Sequence, residues 1–110
     1  MEKEPKSVKF STLFRKDIID VYKYGFETFG KIQAENYQND IFRLVACLDF
    51  FYDIYPECRH LSTKSKMYRW IILESHLIIY RINDSEILVL RIIHAHRSIS
   101  KIKHSRSIKF

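Results

Sequence analysis

His76-Leu-Ile-Ile-Tyr-Arg-Ile82 and Glu86-Ile-Leu-Val-Leu-Arg-Ile-Ile-His94 decide the fold of this 110-residue chain. Both runs are β-branched and aromatic, of strand length, and apolar on both faces, which predicts two central strands of a sheet. Asn83-Asp84-Ser85 between them is a short polar turn, so the two should pair as an antiparallel hairpin. Just upstream, Met67–Leu73 has the same character, and Glu74-Ser75 supplies a second tight turn. Three strands therefore form a meander, with a weaker strand expected near Arg59–Thr63.

Before Pro56 the period is helical. Ala34, Tyr37, Ile41, Leu44, Leu48, Phe51 and Tyr55 step by threes and fours, predicting one amphipathic helix from about Lys31 to Tyr55 that Pro56 closes. Ile18, Tyr22, Phe26 and Phe29 mark the inner face of an earlier helix, with Ser11 or Thr12 as its N-cap and Gly30 as its stop. Gly25 inside that helix costs about 1 kcal/mol relative to alanine and points to close packing. So short a connection makes the helices an antiparallel hairpin. Val8-Lys9-Phe10-Ser11 alternates as a short first strand. The order β-α-α-β-β-β predicts an α+β fold: a helix hairpin on one face of a curved, mainly antiparallel sheet.

Size and composition fit one domain spanning 1–110, with a core of about 6–102. With 46% hydrophobic residues and two glycines, the chain is neither disordered nor built on a glycine-rich phosphate loop. Its charge is unevenly placed. Residues 1–58 hold eight basic and ten acidic side chains, net −2, and residues 59–110 hold eleven and three, net +8. A half so basic calls for an anionic partner. The last residues, 103–110, are basic and serine-containing and read as an exposed, mobile tail. Two cysteines without a CxxC pair, a charged N-terminus without an apolar core, and no apolar run near the ~18–20 residues of a membrane span point to a reducing cytoplasm.

Candidate chemistry is sparse. His94 and His96 share a predicted strand face but lack the third ligand a metal site needs, so neither metal nor cofactor is expected. Cys47 reads as a small buried hydrophobe, and Asp17, Asp20 and Glu27 as a solvated helix face. No serine sits in a GxSxG setting. The arginines differ. Arg69, Arg81 and Arg91 lie on three successive strands, Arg59 precedes them, and His94, Arg97 and Lys101 follow. With only Glu74, Asp84 and Glu86 nearby, they are expected to form one partner-binding surface on the sheet.

These residues resemble the RelE/ParE superfamily of bacterial toxins. Tyr55-Pro56-Glu57-Cys58-Arg59 is similar to its helix-ending Pro-x-x-Gly-Arg segment. Tyr68-Arg69, His76 to Arg81, and Ile87 to Arg97 resemble its closing strands, with the Arg91, His94 and Arg97 spacing the most specific part. Cys58 stands where the family has glycine, the Leu61–Lys66 loop lacks the usual glycines, and the closing tyrosine of many RelE-type nucleases is missing. No lysine cluster leads into the second helix. These departures favour the ParE-like branch, the plasmid stabilisation proteins.

The resemblance implies the toxin of a type II toxin–antitoxin pair in the bacterial cytoplasm. It implies binding and inhibition of DNA gyrase or its DNA complex without catalysis, and a hetero-oligomer with a cognate antitoxin whose C-terminal segment is acidic or amphipathic. The alternative is a ribosome-dependent mRNA endoribonuclease of the RelE type. There His94 would be acid or base and Arg69, Arg81 and Arg97 would stabilise the phosphorane. Tyr68 or Tyr80 would orient substrate, although Tyr80 reads first as core. A third reading is a relative that only pairs with its antitoxin and regulates an operon.

Overall fold

The structure, a computed structural model, describes residues 3–96 and 99–110. Strand β1 (Ser7–Phe10) leads into helix α1 (Thr12–Phe29), helix α2 (Lys31–Ala46) and the single turn α3 (Leu48–Phe51). A 3-10 turn at Arg59–Leu61 precedes β2 (Tyr68–Ile72), β3 (His76–Ile82) and β4 (Glu86–His94). Helix α4 (Ile99–His104) and a 3-10 turn at Ser105–Ser107 follow. The sheet runs β1-β4-β3-β2, with β1 parallel to β4 and the two later pairings antiparallel. The expected α+β order is present, and β3 and β4 are the central strands.

The helix hairpin is fixed at both ends by local chemistry. Ser11 Oγ accepts the Phe14 amide at 2.8 Å and caps α1. Gly30 takes φ 89°, where a β-carbon would be strained, and its N–H returns to the Phe26 carbonyl. A β-carbon on Gly25 would lie 3.5 Å from the Ala34 Cβ, so this glycine marks where α1 and α2 close on each other. Phe14 and Ile18 of α1 and Ile41 and Val45 of α2 cover one sheet face through Ile71, Ile78, Tyr80 and Val89. That is the anticipated layer.

Four features differ from expectation. Helix α2 stops at Ala46 and α3 at Phe51, short of Tyr55. Beyond Phe51 the chain is held to the sheet instead: Tyr80 Oη donates to the Tyr52 carbonyl at 2.6 Å, and Arg69 Nη1 donates to the carbonyls of Asp53 and Tyr55 at 3.2 and 2.7 Å. Arg59–Thr63 is no strand. Glu57 bridges Arg69 along the outer edge of β2, and buried Cys58 donates its N–H to the Tyr68 carbonyl as the chain turns away.

The inner face of α1 is also displaced. Phe14, Asp17 and Ile18 are buried, whereas Phe26 and Phe29 are 49% and 62% exposed. Among the described residues neither ring joins either core cluster. Finally, the second sheet face is not open. Cys58, Leu61, Tyr68, Trp70, Leu88, Leu90 and Ile102 form a second core beneath α4. The tail expected to be exposed completes it: Ser105 is fully buried and Ile108 packs on the cluster, while Lys103, Arg106 and Lys109 remain outside.

Candidate functional site

Strand β1 ends at Phe10, opposite Val89, so the rest of β4 has no strand on that side. Side chains close the edge instead. Ser11 Oγ donates to the Leu90 carbonyl at 2.5 Å, and Asp17 Oδ2 accepts the Ile92 amide at 3.1 Å. A bulge lies between them. Ile79 pairs with Arg91 and Tyr80 with Val89, which leaves Leu90 unpaired and sends Arg91 out over the edge. There Asp17 takes Arg91 with both oxygens, at 3.0 Å from Nε and 2.7 Å from Nη2. This bond raises the Arg91 pKa against the opposing effect of burial.

A cleft of about 530 Å3 follows this edge between α1 and α4, lined among others by Asp17, Tyr24, His76, Arg91, His94 and Lys101. His76 and His94 are cross-strand partners with ring centres 5.3 Å apart. His96 continues the row at 5.5 Å, from the turn after β4, and donates its amide to His94 Nδ1 at 3.3 Å. His76 is buried and hydrogen-bonded through Nδ1 to Tyr37 Oη at 2.8 Å. Burial, aided by the nearby His94, lowers its pKa to about 4, so it is neutral at physiological pH. Burial also raises the pKa of Tyr37. Among the described residues no three His, Cys, Asp or Glu side chains converge as metal ligands would.

A second groove, about 320 Å3, lies between the two helices and the β2–β3 turn. Val21, Tyr24, Gly25, Phe29, Ala34 and Tyr37 give it an apolar floor, with Asp40 and Glu74 at its rim. Val21, Tyr24 and His76 belong to both depressions, so apolar groove and polar cleft form one continuous surface.

The sequence model of the ParE toxin of type II toxin-antitoxin system, parDE, matches residues 8–99. The chain belongs to the ParE toxin family. Among solved structures it is similar to a chain of the chromosomal ParDE TA system from P. aeruginosa. The TM-score is 0.68 at 21% identity, over 84% of this chain and 98% of that one. It is also similar to a chain of the toxin–antitoxin complex RelBE2 from Mycobacterium tuberculosis, with TM-score 0.57 at 17% identity over 82% and 98%. At these identities both likenesses concern the fold. No curated protein sequence matches the chain.

In this ParE-family chain the expected arginine platform is divided. Arg69 stands opposite Tyr80, on the helix side of the sheet, and Arg81 opposite Tyr68, on the other. Arg69 is occupied by three main-chain carbonyls, those of Lys66, Asp53 and Tyr55. Arg91, His94 and Lys101 do come together, in the polar cleft. His94 lies opposite His76, four residues along β3 from the partner of Arg69, about 13 Å away. Arg59 belongs to a separate cleft with Lys103 and Arg106. Arg97 lies outside the described residues.

Other assignments also change. Cys47 is exposed, and the buried thiol is Cys58, whose pKa burial pushes up. Tyr80, by contrast, keeps its first reading as core: it is fully buried, and burial raises its hydroxyl pKa. Asp17 is no solvated carboxylate, since it is 8% exposed and holds the edge of β4. Its signal lay in the spacing: it is three residues after Phe14 and beside Ile18, on the buried stripe of α1. His76 had no such signal, because its burial depends on Tyr37 from another element.

No helix among the described residues is long and apolar enough to cross a membrane.

Proposed function

We propose that this ParE-family toxin acts in the bacterial cytoplasm by binding DNA gyrase or its DNA complex, and that a cognate antitoxin neutralises it as a hetero-oligomer. In this reading residues 1–110 work as one toxin domain, the docked C-terminal residues included, and the chain has no catalysis of its own. The observation that carries the preference for binding over RNA cleavage is the placement of Arg69 and Arg81 on opposite sheet faces. A phosphorane needs its cations and its acid–base group around one reacting atom. With Arg69 spent on carbonyls and His94 some 13 Å along the sheet, His94, Arg69 and Arg81 do not surround one point.

The antitoxin segment is assigned to the continuous surface of groove and cleft. An amphipathic segment would set apolar side chains against Tyr24, Phe29 and Tyr37 and carboxylates towards Arg91 and Lys101. Both similar structures are named for toxin–antitoxin systems, ParDE and RelBE2, which is in keeping with such a partner.

A supercoiling reaction with purified gyrase and increasing amounts of the protein tests the target. Progressive loss of supercoiling is expected, and unchanged supercoiling at saturating protein overturns the proposal. Cleavage of mRNA in translating ribosomes under the same conditions would establish the ribosome-dependent alternative.

A further inference from the structure

The far side of the sheet carries a cationic cleft of different construction. Arg59, in the 3-10 turn before β2, places its guanidinium 6.0 Å from the centre of the Trp70 ring. Arg106, 47 positions later in the final 3-10 turn, lies 5.8 Å from the Tyr68 ring. Tyr68 and Trp70 are alternate residues of one strand in the same core, so the two rings stand about 7 Å apart along it. Lys103 completes the cleft, which measures about 480 Å3 and has no carboxylate in its lining. Among the described residues none of these three cations is ion-paired, since the four ion pairs there use other residues.

The chemistry selects the ligand. A guanidinium attracted to a ring face spends none of its N–H donors there, so they are left for a planar or tetrahedral anion. Two such forks at the separation of alternate strand residues can take neighbouring phosphates of one strand, with Lys103 as an added point charge. Ser62 Oγ donates to the Arg59 carbonyl at 3.2 Å and closes the turn that carries the arginine, and Leu61 in the same turn is 1% exposed. An acidic amphipathic peptide needs apolar anchorage, which this cleft lacks and the groove on the opposite face provides. We propose that the cleft between the Arg59 turn and the docked C-terminal segment binds the phosphate backbone of a nucleic acid, using Arg59, Lys103 and Arg106. The contact reads phosphate and not sequence. It shares no lining residue with the groove and cleft assigned to the antitoxin, so both can be occupied together.

The probe is a fluorescein-labelled 20-base-pair DNA duplex, followed by anisotropy across a salt series. Three phosphate contacts predict a log–log salt slope of roughly −2.7. Arg59→Gln with Arg106→Gln should weaken binding at least tenfold and bring the slope to about −1. Arg59→Lys with Arg106→Lys should keep most of the slope, and Lys23→Gln on the outer face of α1 should change nothing. Thermal melts of each variant confirm folding, and the slope separates lost charge from lost structure. Unaltered binding by the glutamine pair, or tighter binding of a polyglutamate peptide than of DNA, overturns the assignment. Because no gyrase is present, either result leaves the supercoiling test untouched.

Discussion

Asp17 grips Arg91 with both carboxylate oxygens and uses Oδ2 a second time to satisfy the Ile92 amide. One side chain on α1 thereby closes the strand edge that β1 is too short to cover. Asp17→Ala should cost about 3 kcal/mol, because it leaves a half-buried guanidinium unpaired and an amide open. Urea denaturation measures it, and a double-mutant cycle with Arg91→Ala should give a coupling above about 1 kcal/mol. The exposed Lys9–Glu86 pair, at 2.5 Å, should by contrast change stability by under about 0.5 kcal/mol when broken.

His76 makes stability depend on acid. Its folded pKa, about 4, lies below the ordinary 6.5, so the unfolded chain binds the extra proton first. Stability is therefore full above pH 6.5 and falls as pH drops from 6.5 to 4, by about 3 kcal/mol at most. His76→Gln, which retains a partner for Tyr37, should flatten that limb of the pH–stability curve. An unchanged limb in this variant would assign the acid sensitivity elsewhere.

Gly25 faces Ala34 at ordinary van der Waals distance for a single added carbon. Gly25→Ala should raise stability by about 0.5–1 kcal/mol through helix propensity and unfolded-chain entropy. In a domain of this size that is a rise of about 3–6 °C in Tm. Gly25→Val should lower Tm by prising the helix hairpin apart.

Deleting Ser105–Phe110 should destabilise the fold by about 2 kcal/mol, since it removes a buried serine and the Ile108 side chain from the second core. Increased binding of a hydrophobic dye should accompany the loss. A truncated chain as stable as the full one would show that the final turn adds nothing to that core.

The elements were legible in the sequence where periodicity is set locally. β3 and β4 fall where their β-branched runs do, and the Gly30 stop and the Gly25 approach were readable from residue type. What sequence could not supply is which face each arginine takes. Tyr68, Arg69 and Trp70 alternate regardless of which layer covers them, and the bulge at Leu90 reverses the parity just before Arg91. The docked end was hidden by a polar residue: Ile102, Ser105 and Ile108 form a threefold-spaced inner stripe, but its middle member is a serine whose hydroxyl is satisfied by the Lys101 carbonyl. The early end of the long helical stripe was invisible for a related reason, because the groups that hold the chain after Phe51, Arg69 and Tyr80, come from the sheet.

The parallel pairing of Ser7–Phe10 with Glu86–Val89 also governs when the molecule exists. The two strands are 79 residues apart in sequence, with both long helices and strands β2 and β3 between them. The helices can wind from local contacts, but the sheet gains its first strand only when this long loop closes. Any activity that needs the finished surface therefore waits on the most non-local pairing of the sheet.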